Sequence, residues 1–215
     1  MKTLSCALLL MATLAFVLLG CSDNTSSPVS SGEQTVAAPV TPANLGKKGP
    51  VVASVTGNGG VRFDYWVDGK QVYGSFTISA RKYADGSCDG EYQAIDHVVD
   101  WKTTNWWHGK VLSLEVVGNK ALVGGQETDY VGNEATEYIG YYDAFVVIDN
   151  GQGSRATSPD IRSGVYYEPP SSYLHMKNEI WSMTPEQFIT WADAHYGFSI
   201  LFTVTEGNIQ VWQAK

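Results

Sequence analysis

Two acidic residues bracket a turn-rich loop in the second half of the chain. In the stretch DAFVVIDNGQGSRATSPDI, residues 143 to 161, Asp149 and Asn150 follow an apolar run and Asp160 closes the loop. Calcium prefers six to eight oxygen ligands from such loops, so Asp149, Asn150, Ser154 and Asp160 form a candidate calcium site. The stretch lacks the EF-hand pattern. The alternative is a tight turn in which Asp149 and Asn150 cap their own backbone.

The aromatic residues give the main candidate for ligand binding. Adjacent aromatic pairs include Trp106–Trp107, Tyr141–Tyr142 and Tyr166–Tyr167. In an extended chain neighbouring side chains point to opposite faces, so one member of each pair is expected inside and the other outside. We predict Trp106, Trp107, Tyr142 and Tyr166 as ligand-binding residues, because exposed rings on a β-domain can stack on sugars or other flat apolar ligands. The alternative is that the tyrosines lie on the solvent-exposed face of the strands without a ligand, because β-propensity favours them there.

No motif names a reaction, and no catalytic residue is predicted. The four histidines have no zinc-binding spacing, and the chain has no G-x-S-x-G elbow for a nucleophilic serine. Cys88 lies beside Asp89, whose charge would raise a thiol pKa and disfavour a reactive thiolate. Asp and Glu are plentiful, and paired carboxylates cleave glycosidic bonds. A non-enzyme is therefore predicted, with a secreted hydrolase using a carboxylate site as an alternative.

The N-terminus predicts secretion and lipid anchoring. Lys2 gives a positive start, and the apolar run from Leu4 to Leu19 is too short for a good transmembrane helix. Residues 1–20 therefore read as a signal peptide. The ending LLGC resembles the bacterial lipoprotein signal, which implies cleavage before Cys21 and lipid on its thiol. Ser22, the residue after the cysteine, suggests that the lipoprotein is located in the outer membrane of the bacterial cell envelope.

The next segment has the composition of a tether. Residues 21–50 contain no aromatic residue and are rich in Ser, Thr, Pro and Ala, so they cannot bury enough apolar surface to fold. Residues 51–215 are long enough for one domain with a core. The formal net charge is −8 and no basic cluster exceeds Lys47-Lys48. Nucleic acid is therefore excluded as an expected partner.

Most of this domain alternates between apolar and polar residues with a period of two. In VYGSFTISA, the residues Val72, Gly74, Phe76, Ile78 and Ala80 share one face, which is typical of a half-buried strand. In KVLSLEVV, the pattern puts Leu112, Leu114 and Val116 on one face. Turn signals such as Asp-Gly recur every 8–12 residues. An antiparallel β-barrel or β-sandwich is predicted, since both folds need the same alternation.

One helix is predicted within this β-rich sequence, over about 185–196. Thr184 is the expected N-cap, Pro185 stands at the first helical position, Gln187 completes a capping box and Gly197 ends the helix. Its apolar stripe is expected to pack on the sheet or to plug an open barrel end with Trp191.

Several segments occur here in an order that resembles a family of uncharacterised secreted bacterial β-domains. They are HGKVLSLEVVGNKALVGGQ, the DNG-x-G loop beginning at Asp149, and a terminal GNIQV. The resemblance covers roughly residues 60 to 213. It implies a secreted β-domain and brings no known activity. Relatives often carry a cysteine where this chain has Ser113. If that cysteine forms a disulfide bond in the relatives, the resemblance implies that the bond is missing from this chain.

Together these observations predict a lipid-anchored envelope lipoprotein whose domain is a non-catalytic binding or structural module. A carbohydrate-binding module using exposed Trp and Tyr residues is an alternative. The expected partners are the membrane, through the N-terminal lipid, and a glycan or small apolar ligand. No cofactor is predicted apart from the candidate calcium ion.

Overall fold

The computed structural model of the chain describes residues 48–67, 70–98, 103–132, 138–151, 156, 158–197 and 199–215. The predicted signal peptide, Cys21 and all but the last three residues of the tether lie outside the described residues, as does Ser154. The first strand begins at Val51, where the composition of the sequence changes.

The described residues form nine β-strands. Their bounds are β1 Val51–Val67, β2 Lys70–Tyr83, β3 Cys88–Val98, β4 Thr103–Val117, β5 Lys120–Val131, β6 Tyr142–Ile148, β7 Ile161–Ser163, β8 Tyr166–Glu168 and β9 Leu201–Gln213. Between β8 and β9 the chain is helical. A 3₁₀ turn at Pro170–Ser172, helix α1 at Tyr173–His175 and a π-helical turn at Met176–Ile180 precede helix α2 at Pro185–Tyr196.

Eight of these strands close into an antiparallel barrel. The hydrogen-bonded order is β5-β4-β3-β2-β1-β9-β7-β6, and β6 pairs back onto β5. The small strand β8 continues the line of β7 and pairs with the first half of β6. This closure resolves the choice between barrel and sandwich in favour of the barrel.

Alternate residues of each strand point into the barrel and form its core. The predicted inward face of β2 is confirmed, since Val72, Gly74, Phe76, Ile78 and Ala80 are all buried. The prediction for β4 is wrong at one position.

Leu114 and Val116 belong to the interior, whereas Leu112 packs in a second core outside the barrel wall. The cause is a register shift in the pairing with β5 between Val111 and Ser113, because a bulge reverses the inward and outward alternation.

The second core lies between the outer wall of β4–β6 and the helices. Helix α2 has the predicted capping box between Thr184 and Gln187, and it ends at Gly197 with φ of 74°. Phe188 and Ala192 are completely buried in this core. The helix therefore packs on the outer wall and does not close a barrel mouth. No helix in the described part of the chain is long and apolar enough to cross a bilayer.

Three glycines make room for two large aromatic rings. The ring of Tyr92 lies inside the barrel against Gly109 and Gly125, and the indole of Trp181 lies against Gly124 on the outside. The adjacent glycines of the VGGQ segment thus face opposite sides of one strand, and each accommodates an aromatic ring there.

Replacing Gly125 with alanine is expected to lower the free energy of unfolding by about 1–3 kcal/mol. The added Cβ would lie 2.7 Å from the Tyr92 hydroxyl oxygen and 2.9 Å from the carbonyl oxygen of Lys110. The carbonyl belongs to the barrel wall, so it cannot move aside cheaply. Urea denaturation would measure the loss.

Gly60→Ala is the matched control in the same sheet. Its Cβ would meet only side-chain atoms, the nearest being Glu206 Cγ at 3.3 Å and Thr205 Oγ1 at 3.6 Å, so little or no loss is expected. Equal stability of both variants and the wild type would contradict the proposed crowding at Gly125.

Candidate functional site

One end of the barrel interior contains a cluster of ionisable groups. Glu127 on β5, Asp143 on β6 and Arg162 on β7 are exposed by only 2%, 0% and 4%. The guanidinium of Arg162 lies over the rings of Phe76 and Phe145, at 5.5 and 5.7 Å from their centroids. Charged side chains are rarely this buried. This end of the barrel interior therefore contains ionisable groups, whereas its centre is apolar.

Asp143 is held in place on both sides of the barrel wall. Inside, the hydroxyl of Tyr92 donates a hydrogen bond to Asp143 Oδ2. Outside, the indole Nε1 of Trp181 donates to the main-chain carbonyl of Asp143 over 2.8 Å. These contacts link the interior cluster to the second core and fix the position of β6 where the cluster is built.

The two buried carboxyls favour their protonated forms. Burial raises the pKa of Glu127 to about 9, with a further contribution from the neighbouring Asp143. Burial likewise raises the pKa of Asp143 to about 7, against the opposing effect of the Tyr92 hydrogen bond. Desolvation disfavours a charge in a buried site. Near neutral pH the pair therefore retains at least one proton, mainly on Glu127.

This pair is expected to make the domain less stable as the pH rises. The ordinary pKa values are 4.5 for Glu and 3.8 for Asp, so between about pH 5 and 9 the folded state binds more protons than the unfolded state. Glu127 alone should then lower the free energy of unfolding by about 1.4 kcal/mol per pH unit. Urea denaturation at pH 5.5, 7.0 and 8.5 measures the slope.

Glu127→Gln should flatten this slope and raise stability at pH 8.5, because the amide needs no proton to stay neutral. Glu91→Gln is the control, since the Glu91 side chain is 73% exposed and its removal should leave the slope unchanged. An unchanged slope in Glu127→Gln would show that Glu127 is ionised in the folded state at neutral pH.

A cavity of about 170 Å³ opens beside this pair. Its walls are formed by side chains of β4, β5 and β8 and of the segment before β6, namely Asn105, Trp107, Glu127, Tyr130, Tyr138 and Tyr167. Several buried polar atoms of this wall make no hydrogen bond of regular geometry within the described part of the chain. They are Asn105 Oδ1, Trp107 Nε1 and both carboxyl oxygens of Glu127.

Aromatic rings form the rest of the cavity wall. The ring of Tyr138 lies 5.4 Å from that of Tyr130 and 5.5 Å from that of Tyr167. Trp107, on the inner face of β4, is 9% exposed. Burial raises the pKa of the Tyr167 phenol well above its ordinary value, so this hydroxyl stays neutral. The cavity thus combines aromatic rings with a few polar atoms that make no regular hydrogen bond, as small-molecule sites do.

The structure separates the two members of the tryptophan pair as alternation predicts. Trp107 points into the barrel and lines the cavity, whereas Trp106 is half-buried on the outer face. There it stacks on His108, with ring centroids 6.3 Å apart.

The structure places the other two predicted aromatic residues in the second core. Tyr142 packs edge-on to Trp181 at 5.8 Å, and Tyr166 packs edge-on to Trp191 at 4.8 Å beneath α2. The four predicted ligand-binding residues are therefore not brought together, and Trp107 alone reaches the cavity. The neighbouring Tyr167 lines that cavity in place of Tyr166.

Asp149 and Asp160 lie at the opposite end of the barrel, where their carboxylates bind main-chain amides of β9. Asp160 Oδ2 accepts from the amide of Ile209 over 2.7 Å, and Asp149 Oδ2 accepts from Val211 over 3.1 Å. Beyond Thr203 this edge of β9 has no strand partner in the described chain. The two carboxylates close that seam of the barrel.

The same loop has the internal bonds of a capped turn. Asp149 Oδ1 accepts from Gly151, and Asp160 Oδ1 accepts from the amide of Asn150, both over 2.8 Å. The side chain of Asn150 donates to the carbonyl of Pro159. Among the residues that the structure describes, no cluster of three or more His, Cys, Asp or Glu side chains is placed to hold a metal ion. Calcium binding here stays a prediction.

The sequence pattern did not single out Glu127, Asp143 or Asn105. A signal was present at Asp143, because it shares its strand face with Phe145 and Val147, and an acid in phase with a buried face is unusual. Glu127 gave a similar signal, because it is in phase with the inward-facing residues Ala121, Val123 and Gly125 of β5. The register shift in the pairing of β4 with β5 between His108 and Gly109 follows Glu127 and leaves this phase unchanged.

No protein-family model, curated protein or solved structure matches the chain.

Proposed function

We propose that the protein is a lipid-anchored, non-catalytic binding module of the bacterial cell envelope, which takes a small polar ligand into the end of its barrel. The observation that supports this is the cavity beside Glu127, whose wall carries buried polar atoms without regular hydrogen-bond partners. A buried polar group left unpaired costs about 1–3 kcal/mol. A ligand that pairs with these atoms recovers part of that cost.

The size of the cavity limits the ligand. A volume of about 170 Å³ corresponds to roughly five or six water molecules at their share of liquid volume. Pockets for drug-sized ligands measure about 300–1,000 Å³. The ligand, or the part of it that enters the barrel, is therefore small.

The coupled carboxyls favour one second candidate, a hydrolase with Glu127 as the general acid. A carboxyl with a pKa near 9 is protonated at neutral pH, as a general acid must be. A non-catalytic module is the better proposal because the partner carboxyl of Asp143 is completely buried and already accepts the Tyr92 hydroxyl. Turnover of chromogenic glycosides by the wild type, abolished in Glu127→Gln, would establish the hydrolase instead.

Ligand-observed and ¹H–¹⁵N NMR with a panel of small polar compounds and mono- and disaccharides tests the binding proposal. Asn105→Phe places a ring in the cavity and should abolish binding. Thr77→Phe is the matched control, because Thr77 is exposed on the outer face of β2 and lines a separate shallow groove there. Binding that survives Asn105→Phe and is lost in Thr77→Phe would place the ligand outside the barrel.

The anchor has its own experiment. Cys21→Ser should move the protein from the membrane fraction, proposed to be the outer membrane, into the soluble fraction. An unchanged distribution of the variant would refute lipidation at Cys21.

A further inference from the structure

The barrel-end cavity has a donor and acceptor pattern that selects a class of ligand. We propose that it binds a small organic ammonium compound that also carries a hydrogen-bond-accepting oxygen, as an amino alcohol does. This inference rests on the proposed binding function and names the ligand class for the same site.

The unpaired atoms of the wall are mainly acceptors. Oδ1 of Asn105 accepts hydrogen bonds, and both oxygens of Glu127 accept them once that carboxyl has released its proton, so only Trp107 Nε1 then donates. An ammonium group has two or three N–H donors and no acceptor, so it matches Glu127 and Asn105. The single indole donor of Trp107 then requires one acceptor oxygen elsewhere in the same ligand.

The aromatic rings of the wall favour a cation as well. Four of the six lining residues are aromatic, namely Trp107, Tyr130, Tyr138 and Tyr167. Such a ring attracts an ammonium ion over its face by about 0.5–1 kcal/mol at exposed sites and by about 2 kcal/mol where the ion is desolvated. An anion is disfavoured, because it would lie beside the carboxyls of Glu127 and Asp143. A neutral polyol would satisfy the hydrogen bonds and gain nothing from the rings' charge distribution.

The charge balance of the barrel end also accommodates a cation. The charged or titratable groups that interact with the Glu127 carboxyl or its partner Asp143 are Tyr92 on β3, Arg162 on β7 and Tyr167 on β8. Asp96 on β3 interacts in turn with Arg162. Near neutral pH the Glu127 carboxyl of the free site retains its proton and is uncharged. A bound ammonium ion would favour release of that proton, and the resulting carboxylate would compensate the charge of the ligand.

The test is an NMR titration with three compounds of nearly equal shape. They are ethanolammonium, ethylene glycol, in which a hydroxyl replaces the ammonium group, and ethylammonium, which lacks the oxygen. Ethanolammonium is expected to bind with a Kd of about 0.1–10 mM, at least about tenfold tighter than either of the others. The indole Nε1–H resonance of Trp107 should shift with ethanolammonium.

Proton release gives a readout on the unmodified protein. Between pH 6 and 8 the affinity for ethanolammonium should rise by up to about tenfold per pH unit, since binding expels one proton from Glu127. Glu127→Gln should lose the preference for ethanolammonium over ethylene glycol. The control Glu91→Gln should keep both the preference and the pH dependence.

The failures of the two proposals are distinguishable. Ethylene glycol binding in the cavity as tightly as ethanolammonium, with no pH dependence, would overturn the ammonium class and leave the binding function standing. If none of the three compounds and none of the wider panel perturbs the Trp107 indole, both proposals fail.

Discussion

Replacing Trp181 with alanine is expected to lower the free energy of unfolding by about 4–6 kcal/mol. Truncating a buried tryptophan typically costs about 3–5 kcal/mol, and Trp181 is 7% exposed at the centre of the second core. The substitution also removes the donor to the Asp143 carbonyl, which adds about 1 kcal/mol or more. The total free energy of unfolding of a protein domain is about 5–15 kcal/mol. Chemical denaturation should therefore show a large shift of the denaturation midpoint to lower denaturant concentration.

Two further variants keep this result interpretable. Trp212→Ala removes the same side chain at a position that is 50% exposed, and it should cost less than about 1 kcal/mol. Trp181→Phe retains most of the packing and loses the indole donor, so it should fold and lose about 1–3 kcal/mol. A loss below 2 kcal/mol in Trp181→Ala would contradict the role given to this residue.

Replacing Asp160 with alanine is expected to lower the free energy of unfolding by about 3–5 kcal/mol, the second large effect. Asp160 is 7% exposed, and its two oxygens accept hydrogen bonds from the amides of Ile209 and Asn150. Hydrogen bonds to a charged group contribute about 1.5–3 kcal/mol each, and removing the acceptor leaves both amides unpaired. Urea denaturation measures the loss, and hydrogen exchange should show reduced protection at the amide of Ile209.

Asp129→Ala is the control for this substitution, because the Asp129 side chain is 64% exposed and its loss should leave stability within about 0.5 kcal/mol. Asp160→Asn keeps one acceptor oxygen, so its loss of stability should lie between those of Asp160→Ala and Asp129→Ala. Normal exchange protection of Ile209 in Asp160→Ala would mean that another group closes the seam.

The architecture was predictable where its signals are local. Alternation in β2 gave the correct buried face from Val72 to Ala80, and the caps at Thr184 and Gly197 gave the bounds of α2. The bulge near Ser113 was not predictable, because one extra residue in a strand leaves no mark on composition. The helical segment 170–180 was also missed. Its last five residues form a π-helical turn, and the apolar side chains of Met176 and Ile180 are four residues apart without a longer stripe.

The candidate site depends on strand register, which explains why little of it was predicted. Trp107 was identified from its type, and alternation correctly separated it from Trp106. Glu127 and Asp143 come from different strands, and the pairing of Gly125 with Asp143 brings them to the same end of the barrel. The spacing of Glu127 and Asp143 along the chain does not predict that they lie close together. The acidic residues that did stand out, Asp149 and Asp160, bind main-chain amides in the structure.

The pairing of β1 with β9 has a consequence for the kinetics of folding. These are the first and last strands of the described chain, and their register joins residues such as Val55 and Val211. Contacts between such distant residues form slowly, because the intervening chain must be ordered first. Until β9 arrives, β1 presents an unpaired edge that can pair with another chain. We therefore expect refolding in the range of milliseconds to seconds or slower, with association of partly folded chains as its main competitor at high protein concentration.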